Sequence, residues 1–214
     1  MDEAQEFDEA KESSESQPAR ITLLALAFEG GLGALALTIG WLVGHWPAIG
    51  MEFSSAAALE QVAAIAWGLA ATVPLLVALL ILDRFPIGPL QSVKDIARDL
   101  IARMFQGASV LQLAVISLAA GLGEELLFRG LAQAGLAKLL GGEWGPWIAL
   151  VGASVLFGVC HWLNTTYAIL AMLAGLYFGL LLMVSGSLWT PIVAHAAYDF
   201  IALVYLLRPQ NLIR

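Results

Sequence analysis

The sequence predicts an all-α protein: a polytopic membrane helical bundle of about six transmembrane helices plus one amphipathic interfacial helix. Two observations carry this prediction. Hydrophobic residues make up 60% of the 214 residues and charged residues 13%, and the mean hydropathy of +0.83 is far above that of a soluble domain. The apolar residues also fall into runs, most of them near or above the roughly 20 residues that cross a hydrocarbon core. These runs are 21–44, 57–82, 109–140, 145–163, 167–184 and 188–207.

The net charge of −7 is concentrated before the first apolar run. Asp2, Glu3, Glu6, Asp8, Glu9, Glu12 and Glu15 all lie there, so we expect residues 1–20 to be a disordered acidic tail. The basic residues predict the orientation in the membrane, because cytoplasmic segments carry an excess of Lys and Arg. If the N-terminus is cytoplasmic, Lys138 is the one basic residue outside and Arg129 lies in the membrane. The basic residues on the cytoplasmic side are then Lys11, Arg20, Arg84, Lys94, Arg98, Arg103, Arg208 and Arg214. We expect a multi-pass protein of a prokaryotic cytoplasmic membrane in this orientation, with lipids and no nucleic acid among its partners.

Residues 21–108 are predicted to form an accessory region of two spans and one surface helix. Glu29 is ionisable within the first span, and the sequence leaves open whether it lines a polar cavity. In residues 91–106, apolar side chains recur at helical spacing with charged side chains between them. This pattern predicts an amphipathic helix that lies on the cytoplasmic face of the membrane.

Three charges interrupt the apolar run that follows. Glu124, Glu125 and Arg129 lie in the segment 121–130, and a charge at membrane depth is a functional-site hypothesis by default, because it costs about 2.5 kcal/mol or more. Glu125 and Arg129 are four apart and can pair on one helix face, whereas Glu124 is rotated from Glu125 by about 100°. We therefore interpret Glu125 as structural and Glu124 as chemical.

A predicted helical hairpin brings a histidine to the same depth. Its turn lies near Glu143, with Glu124 19 residues before it and His161 18 residues after it. At about 1.5 Å per residue, these two side chains lie at similar levels on antiparallel helices. Phe157 precedes His161 by four positions and shares its helix face. Taken alone, a membrane histidine such as His161 is more often a packing or interface residue than a functional one.

The last span adds His195 and Asp199, again four apart on one face. Together with Glu124 and His161 they form a set suited to hydrolysis: a carboxylate acts as general base on water, one imidazole shares the proton, and the other stabilises an oxyanion. A proton-coupled transporter would use the same groups as a relay, but the two halves of the chain show no internal repeat. A membrane scaffold or immunity factor without turnover is the third alternative.

The motifs resemble the CPBP family (CaaX protease and bacteriocin-processing, or Abi) of intramembrane proteases. The matching residues are Glu124-Glu125-xxx-Arg129, Phe157-xxx-His161 and His195-xxx-Asp199, in the family's order. The resemblance covers about residues 112–203. Charge, hydropathy and this resemblance together divide the chain into the tail 1–20, the accessory region 21–108, a protease core 109–207 and a C-terminal tail 208–214.

The resemblance implies an endopeptidase similar to type II CaaX prenyl endopeptidases, cutting a peptide or prenylated tail near the cytoplasmic membrane surface. Bacterial members are linked to bacteriocin maturation or immunity. In this family pattern, Glu124 with His161 would activate water, and His195 with Asp199 would support the oxyanion. Supporting roles fall to Glu125, Arg129 and Phe157.

The family pattern has Asn or Asp at the last position, and because Asn is common there, Asp199 leaves the oxyanion role of this position open. An ionised carboxylate cannot donate a hydrogen bond, so Asp199 would have to be protonated, orient His195 or bind a metal. Both a metal-free glutamate mechanism and a metalloprotease mechanism are argued for the family. The sequence leaves both open, since Glu124, His161, His195 and Asp199 could together hold Zn²⁺.

Overall fold

The computed structural model describes residues 3–51 and 57–208, with the backbone alone for 3–18. Over these residues the chain forms seven helices. They are α1 Glu3–Leu42, α2 Ala58–Arg84, α3 Pro89–Phe105, α4 Val110–Leu140, α5 Gly145–Cys160, α6 Thr165–Ser185 and α7 Trp189–Leu206.

The helical membrane bundle predicted from hydropathy is confirmed. Five helices are long and apolar enough to cross a membrane: α1 from Ala19 onward, α2, α4, α6 and α7. The remaining predicted span is the shorter apolar helix α5, of 16 residues. It ends at Cys160, so His161 lies just beyond the helix rather than inside it. The chain is an integral membrane protein.

Helix α1 begins inside the segment for which the sequence predicted disorder. The backbone of residues 3–20 continues the helix of the first span. The segment contains five Glu, three Ala, two Gln and one Lys, which favour helix, and extending an existing helix avoids the cost of nucleation. The backbone of residues 3–20 therefore differs from the prediction. The predicted C-terminal tail lies outside the described residues except for Arg208.

Helix α4 is the centre of the bundle. In the 18-residue apolar stretch of this helix, 50% of the residues are buried, and this is the largest such share among the five long helices. It packs against α1 on one side and α7 on another. Its N-terminus carries a capping box, in which Ser109 and Gln112 each satisfy the other's backbone N–H. A π-helical segment, Leu126–Gln133, interrupts α4 directly after Glu125, and such segments occur frequently at functional sites.

Two glycines allow α1 and α7 to approach α4 closely. A Cβ atom at Gly121 would lie 2.8 Å from the Cβ of Ala196 on α7, and one at Gly123 would overlap the carbonyl oxygen of Glu29 on α1. Small residues let membrane helices come together in this way. Glu124, which lies between the contact with α1 and the contact with α7, is therefore held at the centre of three packed helices.

The amphipathic helix predicted for residues 91–106 is α3. Its polar side carries an exposed ion pair between Arg103 and Asp99, with 2.9 Å between Nη2 and Oδ2. On its apolar side Val93 is buried, and Val93, Ala97 and Ile101 line an internal cavity. The helix therefore closes the bundle from one side, a function that its sequence pattern alone did not indicate.

Candidate active site

A single cavity receives the ionisable residues that the sequence singled out. Its volume is about 400 Å³, and Glu124, His161, His195 and Asp199 all line it. They come from α4, from the residue after α5, and from α7. Most of the remaining lining is apolar, contributed by α2, α3, α6 and α7. The structure thus brings together side chains that are up to 75 positions apart in the chain.

Glu124 and His161 form one pair in this cavity. The distance between Glu124 Oε2 and His161 Nε2 is 3.5 Å. Only 8% of Glu124 is exposed, and its Oε2 atom has no direct hydrogen-bond partner among the described residues. The carboxyl oxygen that faces the imidazole is therefore free to take a proton.

The ring of His161 is held by Phe157. The two rings are stacked with centroids 4.2 Å apart, and His161 Nδ1 lies 2.8 Å from the carbonyl oxygen of Phe157. A carbonyl oxygen only accepts, so Nδ1 must carry the hydrogen. Nε2 is then the ring atom that can gain or lose a proton, and it is the atom that faces Glu124.

Glu125 and Arg129 pair as the spacing predicted, and Glu125 also binds a residue from another helix. Its Oε1 accepts from Arg129 Nη1 at 2.8 Å and from His195 Nδ1 at 2.8 Å. Glu125 and Arg129 are 0% and 1% exposed. Arg129 also donates to the carbonyl of Gly175 on α6 at 3.2 Å, and its guanidinium lies 4.3 Å from the ring centroid of Phe157. This buried ion pair connects α4, α5, α6 and α7.

His195 is fixed on three sides. Its ring stacks on Phe178 with centroids 4.7 Å apart and an interplanar angle of 14°. Since Glu125 is paired with a guanidinium, it is an ionised acceptor, and His195 Nδ1 carries the hydrogen. Nε2 therefore faces the cavity, 3.4 Å from Asp199 Oδ2. Asp199 is more accessible than the other members of the site, with 31% of its side chain exposed.

Two residues join the site that the sequence did not assign to it. Glu29, left open before, lines the same cavity, and its Oε2 has no hydrogen-bond partner among the described residues. Phe178 supports the His195 ring, but an aromatic residue in an apolar helix gives no indication of such a role in the sequence. Glu29 could have been assigned only by its charge within a span.

The positions of Glu124, His161, His195 and Asp199 decide whether they could together bind Zn²⁺. A catalytic zinc site takes three protein ligands and keeps an open position. Within residues 19–51 and 57–208, whose side chains are described, no group of three or more His, Cys, Asp or Glu is arranged to hold a metal ion. The side chains instead form two pairs, Glu124 with His161 and His195 with Asp199. In this arrangement they do not fit Zn²⁺, whose binding would require the two pairs to move together.

The comparisons with known proteins point to the region that contains this site. Residues 106–201 match the family model described as type II CAAX prenyl endopeptidase Rce1-like. Neither the comparison with curated proteins nor the comparison with solved structures found a match. All three motifs lie inside the matched segment, so the resemblance to the CPBP family is confirmed: residues 106–201 are similar to the Rce1-like family of type II CAAX prenyl endopeptidases.

Proposed function

We propose that this protein is an intramembrane endopeptidase that hydrolyses a peptide bond in a prenylated, CAAX-type tail near the cytoplasmic membrane surface. The observation that carries the proposal is the common cavity of Glu124, His161, His195 and Asp199. Ligand sites are commonly apolar pockets with a few convergent polar groups. Apolar side chains such as Leu79, Ile116, Leu170 and Leu203 line this one as well, which suits a lipidated tail.

Glu124 is the proposed general base. Its carboxylate takes a proton from water while the water oxygen attacks the scissile carbonyl carbon. His161 Nε2, 3.5 Å from Glu124 Oε2, receives that proton and passes it to the nitrogen of the leaving amine. The C–N bond breaks, one product ends in a carboxyl group, and the other ends in an amine. General base catalysis of this kind contributes about 10²–10⁴-fold in rate.

His195 is the proposed oxyanion donor. Its Nδ1–H is held by Glu125, so Nε2 is left to face the substrate, and a protonated Nε2 can donate to the developing oxyanion. Asp199 Oδ2, 3.4 Å from Nε2, accepts that hydrogen before the substrate enters and so orients the ring. This assigns the unusual Asp an orienting role in place of a donating one.

The test uses a matched pair of substitutions. Purified protein in detergent is incubated with prenylated and unmodified tail peptides, and the products are identified by mass spectrometry. Glu124→Gln should lower cleavage by about 100-fold or more, since it removes the general base. Glu143→Gln, the same change at an exposed position in the turn between α4 and α5, should leave cleavage unchanged. Matching thermal unfolding midpoints would show that both variants fold.

The same experiment separates the alternative functions. A membrane scaffold or immunity factor would bind a tail peptide without cleaving it, in the wild-type protein as in Glu124→Gln. A proton-coupled transporter would take up solute into vesicles without producing fragments. Either result, with no fragment from any tail peptide, would contradict the proposed peptidase.

A further inference from the structure

A second polar cluster lies at the edge of the cavity, centred on Asp83 near the end of α2, and two of its members, Asp83 and Lys94, line the cavity. Lys94 on α3 donates from Nζ to the Asp83 carbonyl oxygen at 2.6 Å and lies 3.3 Å from Oδ1. Arg98 Nη2 lies 2.5 Å from the same Oδ1. Tyr205 on α7 donates its hydroxyl to Oδ2 at 2.8 Å. These four residues, called the α3 clamp here, tie α3 to both α2 and α7.

The α3 clamp has an excess of positive charge. Two cations, Lys94 and Arg98, share the single carboxylate of Asp83. Among the described residues that line the cavity, Lys94 is the one Lys or Arg, and Glu29, Glu124 and Asp199 are carboxylates of the same lining outside the cluster. The side chains of Lys94 and Arg98 are 21% and 30% exposed. Of the two, Lys94 lines the cavity, so an anion that enters the cavity can reach Lys94.

The distance from the catalytic residues to the α3 clamp matches a short peptide. Asp199 and Tyr205 lie six positions apart on α7, which corresponds to about 9 Å along the helix axis. An extended chain of three residues spans about 10 Å. In a CAAX-type tail, three residues separate the prenylated cysteine from the C-terminal carboxylate. A bond cleaved beside Asp199 would therefore place that carboxylate at the level of the clamp.

We propose that Lys94, with Arg98 beside it, binds the C-terminal carboxylate of the substrate. This contact would place the scissile bond three residues before the C-terminus. This inference rests on the proposed peptidase function. A carboxylate that reaches Lys94 joins or replaces Asp83 as its partner, and an ammonium–carboxylate hydrogen bond is about twice as strong as a neutral one. The site therefore selects free C-terminal tails over internal segments of a chain.

The experiment compares one prenylated tail peptide as the free acid and as the C-terminal amide. For the wild-type protein the KM of the amide should be about ten-fold higher, which is the size expected for one lost charged hydrogen bond. Lys94→Gln should raise the KM of the acid to that of the amide and leave the KM of the amide and both kcat values unchanged. Lys94→Arg, which keeps the cation, should restore much of the preference for the acid.

Two further variants test whether the α3 clamp binds the substrate or only holds α3 against α2 and α7. Arg103→Gln, which removes an exposed cation of the same helix, should leave both KM values unchanged. Asp83→Asn removes the competing carboxylate and frees Lys94, so the KM of the acid should stay level or fall. If Asp83→Asn and Lys94→Gln instead raise the KM of acid and amide alike, the clamp only holds α3 and the inference is wrong.

The outcomes also distinguish this inference from the function on which it rests. Equal KM values for acid and amide in an active wild-type protein would overturn the carboxylate site and leave the peptidase intact. Cleavage of neither peptide would overturn the peptidase, and the carboxylate site with it.

Discussion

Two adjacent glutamates in α4 have different environments. Glu125 is 0% exposed, and its Oε1 accepts from both Arg129 and His195. Glu124 lines the cavity and faces His161. The rotation of about 100° between successive helix positions separates the two carboxyl groups. Removing one partner of a buried ion pair costs about 3–5 kcal/mol, which supports a structural role for Glu125. Glu124, which faces the cavity, is the better candidate for chemistry.

Asp199 provides a prediction at this scale. Asp199→Asn should keep cleavage within about ten-fold of the wild type, because the amide oxygen can still accept from His195 Nε2–H and hold the ring. Asp199→Ala should lower cleavage further, since it removes the acceptor altogether. The measurement is kcat/KM on one prenylated peptide for the three proteins. A loss in Asp199→Asn as large as that in Glu124→Gln would show that the negative charge itself is required.

At the scale of the elements, the position of α4 between α1 and α7 decides where Glu124 lies. The contact of Gly123 with the Glu29 carbonyl holds α1 against α4, and the contact of Gly121 with Ala196 holds α7. In a lipid environment, helix association depends on close packing because lipid tails are as apolar as the side chains. Adding a single methyl group at either contact should therefore lower the stability of the bundle.

Gly123→Ala tests this packing. The added methyl group overlaps the backbone of α1, so the two helices must move apart, and overpacking of this kind costs about 1–3 kcal/mol. We expect a lower unfolding midpoint in detergent together with reduced cleavage. Gly30→Ala on α1 is the matched control, since a Cβ atom there meets nothing within 4 Å. Equal midpoints for the two variants would show that the α1–α4 contact does not stabilise the bundle.

At the scale of the whole molecule, side chains from all seven helices line a largely apolar cavity that has polar groups in two places. The acid and imidazole side chains of α4 and α7 lie in one part, and the α3 clamp lies in another. A buried charge is expensive in a membrane unless it is paired or serves a function. The lining as a whole therefore fits the proposed substrate, which is partly lipid and partly peptide.

The metal dependence of the reaction is tested on the intact protein. With the acid and imidazole groups arranged as two pairs, we expect cleavage of a prenylated peptide to persist after dialysis against a tight chelator. A soluble zinc protease treated in the same detergent serves as the control for chelation and should lose its activity. Loss of cleavage that Zn²⁺ restores would show that the metal-free mechanism is wrong.

The local features of the site follow from spacing along single helices. Residues four apart share a helix face, so the pairs Glu125–Arg129, Phe157–His161 and His195–Asp199 could each be predicted, and each is a contact in the structure. The common depth of Glu124 and His161 followed from counting along a hairpin. Hydropathy predicted the helical bundle, because crossing lipid requires long apolar runs.

Contacts between helices could not be predicted in this way. The hydrogen bond from His195 to Glu125 joins positions 70 apart, and Glu29 lines the cavity from α1, whose backbone packs on Gly123. The apolar face of α3 was predicted to meet lipid, yet part of it lines the cavity. Local spacing fixes which residues share a face, but the rotation and distance of that face relative to other helices depend on how the whole bundle packs.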